Sequence, residues 1–241
     1  MPLEYEYRYS RFDKKSIIKK LQELGGTKHG HYLFKILVLI HPHKTPDTYI
    51  RVRDEGHRIT MTYKTDLKKE FVTENEVIIN DFEQGCAILY GIGCTKKFYY
   101  EKIREIYHIN NTEISFDTNP GRPDIMEIES TSKNELSKTI KNLGLENLEH
   151  DNFKDLYFDT FGIIVPKTID LTFENVKEML EPECKKNKKE FLKLINEQIK
   201  LFNKLKSLKK SSKKSSKKSS KKSSKKSSKK SSKKSSKKSS K

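Results

Sequence analysis

Apolar and polar side chains alternate through most of residues 1–131, the period-two signature of half-buried strands. Residues 3–10 carry the first such run. "HYLFKILVLIHP" is a long strand ended by Pro42. "TYIRVRD" and "RITMTYKT" flank the tight turn "EGH" and read as a hairpin. "EFVTENEVIIN", "KKFYYEKIREIYHI", "TEISFDT" and "DIMEIEST" bring the total to about eight strands, mostly antiparallel because their connections are short.

Helical spacing fills the intervals. In "FDKKSIIKKLQELGG", Asp13 caps the start, Ile17, Ile18, Leu21 and Leu24 form an apolar stripe, and Gly25 and Gly26 stop it. "DFEQGCAILYGIG" predicts a helix that stops at glycine, "KNELSKTIKNLGL" another, and "NFKDLYFDTFG" a helical segment. Beyond Pro166, "TFENVKEML" predicts a short helix and "CKKNKKEFLKLINEQIKLFNKLKSL" a longer amphipathic one. In the latter, Phe191, Leu192, Ile195, Ile199, Phe202 and Leu205 fall near 3.6-residue spacing. That face either packs on the strands or binds a partner.

The polar side of the strands holds the chemistry. Glu4, Glu6 and Arg8 share one side of the first strand, and Tyr5, Tyr7 and Tyr9 share the other. Arg51 pairs with Arg53, and Lys64 sits with Thr60 and Thr62. Lys102, Arg104 and Tyr100 share a face, as do Asp117, Ser115 and Glu113, and Glu127 with Glu129; Glu74 and Glu76 follow the pattern more weakly. Any one of these strands fits the solvated outer face of a sandwich. Together they segregate by sign, with acids on the first, fifth and last two strands and bases on the third, fourth and sixth. A closed antiparallel barrel with a charged lumen accounts for that repetition, its apolar outer side covered by helices. Carboxylates suit a hard cation such as Mg²⁺ or Mn²⁺, and arginine and lysine suit phosphate oxygens. A polyphosphate with its divalent metal demands both halves.

Charge and cysteine usage refine this picture. The net charge of +18 invites a nucleic-acid reading, but residues 209–241 are a Lys/Ser repeat holding 17 lysines and no acid. The body is therefore nearly neutral, at +1. The repeat has nothing apolar to bury and is expected to be disordered, with charge-driven contact to nucleic acid or another polyanion as its candidate role. Cys86, Cys94 and Cys184 lack metal or redox spacing and read as reduced thiols. His29, His31, His41 and His43, around the second strand, read as surface or tunnel-mouth residues rather than a zinc site. With no apolar signal region and no 18-residue apolar run, the expectation is a soluble intracellular protein without a transmembrane segment.

The charged strings "EYEYR", "IRVR", "MTYK", "ENE", "EKIR", "ISFD" and "MEIE", in that order over about residues 1–160, resemble the motifs of the CYTH superfamily of triphosphate tunnel metalloenzymes. That superfamily includes thiamine triphosphatases, inorganic tripolyphosphatases and class IV adenylyl cyclases. The resemblance implies an α+β fold built on a closed eight-stranded antiparallel β-barrel, or tunnel, with catalytic Mg²⁺ or Mn²⁺. It implies that Arg8, Arg51, Arg53, Lys64, Lys102 and Arg104 hold phosphates. Glu4, Glu6, Asp117, Glu127 and Glu129 would bind metal, with Glu4, Glu6 and Glu129 also positioning the attacking water. The family's first-strand lysine is Arg8 here, which keeps the charge but exchanges no proton at neutral pH. The implied domains are a tunnel domain at 1–165, a helical extension at 166–208 and the disordered tail at 209–241. The expected activity is metal-dependent hydrolysis of tripolyphosphate, thiamine triphosphate, a nucleoside triphosphate or an RNA 5′-triphosphate end. A class IV-type adenylyl cyclase and a silent polyphosphate-binding module are the rival readings.

Overall fold

β-Branched and aromatic residues at alternate positions form strands because their side chains pack on a pleated surface, and eight strands form where the alternation predicts them. They are β1 (Tyr5–Tyr9), β2 (Thr27–Ile40), β3 (Tyr49–Asp54), β4 (Ile59–Thr65), β5 (Thr73–Ile79), β6 (Thr95–Ile109), β7 (Thr112–Thr118) and β8 (Ile125–Ser130). The computed structural model describes residues 5–43, 47–65, 73–146, 148, 156–166 and 169–209. Glu4, the start of the "NFKDLYFDTFG" segment and the repeat tail from residue 210 lie outside the described residues. Among the described residues no helix is long and apolar enough to cross a membrane.

Every strand pairing is antiparallel, and the sheet runs β1-β8-β7-β6-β2-β3-β4-β5. The sheet is not closed by hydrogen bonds, which departs from the closed barrel expected from the sequence. Closure needs the free backbone groups of the two edge strands to meet. Here β1 bonds to β8 and β5 to β4, with no β1–β5 ladder among the described residues.

Helices cover the apolar outer face. In α1 (Lys14–Glu23) the Asp13 carboxylate accepts from the backbone N–H of Lys15 and Ser16, as the sequence predicts. α3 (Lys133–Leu143) is capped by Ser132 and stopped by Gly144 at φ 72°, a left-handed cap. Ile17 and Leu21 of α1 and Leu136, Ile140 and Leu143 of α3 pack with Tyr9, Tyr107, Ile114, Phe116, Met126 and Ile128. α2 (Phe82–Gly91) sets Cys86 and Leu89 against Leu37, Leu39, Ile50 and Val52. Cys86, Cys94 and Cys184 are unbridged.

The segment from residue 156 onward builds its own cluster on the sheet. α4 (Leu156–Phe161), α5 (Val176–Leu180) and a helix over 188–202 contribute Phe161, Val176, Leu180, Phe191 and Ile195. β7 reaches along β6 only as far as Ile103. Beyond that point Leu171 takes the edge: its N–H donates to Tyr99 O and its carbonyl accepts from Glu101 N. Glu101 in turn accepts from Phe173 N at 3.2 Å. The turn joining β7 to β8 is gripped as well. Gln198 accepts from Gly121 N and donates to Arg122 O, both at 2.8 Å. At Gly121, φ is 71° and an added Cβ would lie 2.9 Å from Val176, so glycine is required twice over. The amphipathic face of the last helix thus packs against its own chain. Residues Met1–Phe202 form one compact unit, and a second runs from Asn203 to Lys241, of which residues 203–209 are helical.

Phe191 is fully buried in this cluster. Phe191→Ala is expected to cost about 3–5 kcal/mol by urea denaturation.

Candidate functional site

Strand register brings the sequence-predicted charges onto one face. Arg104 lies opposite Asp117, Arg8 opposite Glu127, Glu6 opposite Glu129, and Lys64 opposite Glu74. Thr62 lies between Arg51 and Glu76 in neighbouring strands. Side chains directly opposite on one face are within contact reach, and the array pairs accordingly.

At its centre is Asp117, 4% exposed. Arg104 grips it by two hydrogen bonds of 2.6 Å, and Lys102 adds a third at 2.6 Å. Burial opposes the ionised carboxyl, but Lys102 and Arg104 outweigh it and hold Asp117 well below the usual carboxylate range. Burial pulls the Lys102 ammonium down despite Asp117. Arg104 also donates to Glu127. Arg8 bridges Glu6 at 2.5 Å and Glu127 at 3.1 Å. Burial, then the charge of Glu127, pushes the Glu6 carboxyl up. Glu129 faces Glu6 and Glu113 in register, and its charge acts on Arg104.

A second group lies on β3–β5. Lys64 meets Glu74 at 2.5 Å. Glu76 accepts from Thr62 at 2.6 Å and lies 3.6 Å from Arg51 and 3.5 Å from Arg53. Its pKa is lowered: burial alone would raise it, but the Thr62 hydrogen bond and the two arginines win. Glu74 and Glu76, weak in the alternation pattern, are therefore full members of the array. Glu55 is a member that the pattern missed. Only 3% exposed, it pairs with Arg53 and Arg58, each at 2.5 Å, and stands 3.6 Å from His57. It sits in the β3–β4 turn, where strand alternation carries no information.

The face is not charged throughout. Phe34, Ile36 and Val38 of β2 are buried on it, with Tyr49, Phe98 and Tyr100 packed around them. Lys102 and Arg104 lie 5.2 and 5.7 Å from the Phe34 ring centroid. Of the histidines, His29 stacks on His108 at 4.9 Å near His57, while His41 and His43 adjoin one another.

The fold and this face define an α+β protein whose antiparallel sheet presents interleaved, mutually paired bases and acids. The CYTH domain family profile matches residues 3–144, and the chain belongs to that family. The fold is shared with the PH1012 protein of Pyrococcus horikoshii OT3 (23% identity, 64% of this chain and 99% of that one, TM-score 0.53). It is shared with a conserved hypothetical protein of Pyrococcus furiosus (20%, 64% and 99%, TM-score 0.52). A candidate adenylate cyclase of Vibrio parahaemolyticus is similar too (14%, 64% and 96%, TM-score 0.54). At these identities the likeness is one of fold. A search of curated proteins found no match.

Asp117→Asn leaves two buried cations without their shared anion and is expected to cost about 3–5 kcal/mol at neutral pH. Because the folded carboxyl is depressed, its contribution is full above the unfolded value of ~4 and is lost as pH falls through the lower folded one. Denaturation of wild type and variant across pH should therefore converge in acid.

Proposed function

We propose that the chain is a divalent-metal-dependent triphosphatase that holds a triphosphate group against the inward face of a β-tunnel. Arg53 carries this reading. Its Nε–H is buried without a hydrogen-bond partner. Burial, and then the adjacent Arg51 charge, pull its guanidinium pKa below the ordinary value. A buried, crowded cation with a spare donor favours an anionic acceptor. Arg8, Arg51, Lys64, Lys102 and Arg104 stand on the same face, each paired with a carboxylate that phosphate oxygens would replace.

The exchange would turn those carboxylates toward a metal. Among the described residues no three acids, histidines or cysteines are already gathered at cation-binding distance. The donor chemistry nonetheless fits Mg²⁺ or Mn²⁺. Glu6, Glu127 and Glu129 offer hard oxygens on adjacent strands, and Glu6 is already raised by burial and by Glu127. A cation held by these three, joined by Asp117 once Lys102 and Arg104 move to phosphate, would neutralise charge and act as a Lewis acid. Glu4 belongs to the same proposed set. Glu6 would take a proton from the attacking water, and Glu129 opposite it would orient that water. The six bases stabilise charge on the transferring phosphoryl group without a covalent nucleophile. Arg8 acts by charge and hydrogen bonding, without exchanging a proton.

Residues 1–165 form the catalytic domain in this reading, and 166–208 its helical extension. The tail at 209–241 is a polyanion tether that concentrates an RNA 5′-triphosphate end at low salt.

The full-length protein with Mg²⁺ or Mn²⁺ is expected to release orthophosphate from at least one of tripolyphosphate, ATP, thiamine triphosphate and a 5′-triphosphate RNA. Glu129→Ala should abolish the metal-dependent rate, and Arg53→Ala should lower kcat by about 100- to 1,000-fold. Pyrophosphate release from ATP would replace this reading with a cyclase. Binding without turnover would leave a polyphosphate-binding module.

A further inference from the structure

The inward side of β6 changes character along its length. Successive residues on that side are Phe98, Tyr100, Lys102, Arg104, Ile106 and His108. At one end Glu113, Glu129 and Glu6 lie in register on β7, β8 and β1. At the other, Phe98 and Tyr100 are 5.8 Å apart and tilted by 43°. They rest on Ile36 and Val38, each 1% exposed, with Tyr49 packed from β3. Tyr49 and Phe98 are partly buried as whole residues, while Tyr100 lies deeper, its hydroxyl pKa pushed up by burial. Tyr100 and Lys102 are next neighbours on the face, about 7 Å apart along the strand. That is the spacing of adjoining groups within one ligand.

Inorganic tripolyphosphate has no apolar surface to place on these rings, and its oxygens are disfavoured against a π face. A flat heteroaromatic ring is the natural occupant. The ring should be uncharged. The Arg51 guanidinium lies 5.8 Å from the Tyr49 centroid and the Lys97 ammonium 5.9 Å from that of Phe98, so a cationic ring would meet repulsion.

We infer that Tyr49, Phe98 and Tyr100 form a base-recognition subsite, that the substrate is a nucleoside triphosphate, and that its terminal phosphate points toward Glu6 and Glu129. This rests on the triphosphate reading of the same face, and it fixes the direction in which the substrate lies. In register Arg51 is level with Phe98 and Arg53 with Tyr100, so the α-phosphate falls beside Arg53, between the base and Lys102.

The test is equilibrium binding by the full-length protein with Mg²⁺, using a β,γ-imido ATP analogue, tripolyphosphate and thiamine triphosphate. Wild type is expected to bind the ATP analogue more tightly than either of the others. In the double variant Tyr49→Leu, Phe98→Leu, the ratio of ATP-analogue to tripolyphosphate affinity should fall by about 10- to 100-fold. A wild type that prefers tripolyphosphate or thiamine triphosphate overturns the inference, and needs no variant to show it. So does a double variant whose ratio does not change. In both cases tripolyphosphate binding leaves the triphosphate reading standing. If none of the three binds, both readings fall.

Discussion

A charge removed from water must be met by another charge, and that constraint organises the inward face. Lys102 and Arg104 are largely buried and Asp117 almost wholly so, and each is costly to keep charged without an opposite charge beside it. Their three short contacts convert separate desolvation penalties into one neutralised cluster. The arrangement then propagates outward: Arg104 reaches Glu127, Glu127 reaches Arg8, and Arg8 reaches Glu6. On the other side Arg53 is shared between Glu55 and Glu76. Such a network keeps many like charges close together without a ligand. In the proposed function, phosphate oxygens would take the place of those anions at little further desolvation cost.

Much of this was legible in the alternation of side chains, because a period of two assigns each residue to a face before any partner strand is known. Glu6, Arg8, Arg51, Arg53, Lys64, Lys102, Arg104, Asp117, Glu127 and Glu129 all fall on the one face expected for them. The pattern was silent where it had no contrast. β2 is apolar on both sides through Ile36–Leu39, so nothing in its sequence marks Ile36 and Val38 as inward and Leu37 and Leu39 as outward. Pairing with β3 and β6 decides that. Glu55 escaped notice because a turn residue has no parity. Edge-to-edge closure is a property of tilt and curvature summed over the whole sheet, which no single strand encodes. The seven ordered charged strings identified the family, and its profile ends at residue 144.

The chain beyond that boundary is woven into the sheet rather than appended to it. Leu171 continues the hydrogen bonding of β6 where β7 stops, and Phe173 secures Glu101. The amphipathic helix that the sequence left undecided between core and partner buries Phe191 and Ile195 completely.

The contact between Gln198 and the β7–β8 turn also bears on how the protein is made. Gly121 and Gln198 are separated by 77 positions. The turn carrying the chain from Asp117 to Glu127 therefore waits for a side chain synthesised long after both strands have left the ribosome. Until then the strands of the family fold are complete in sequence while a turn between two of their charged residues lacks its buried partner. Synthesis order thus separates completion of the strands from the arrival of the turn's buried partner.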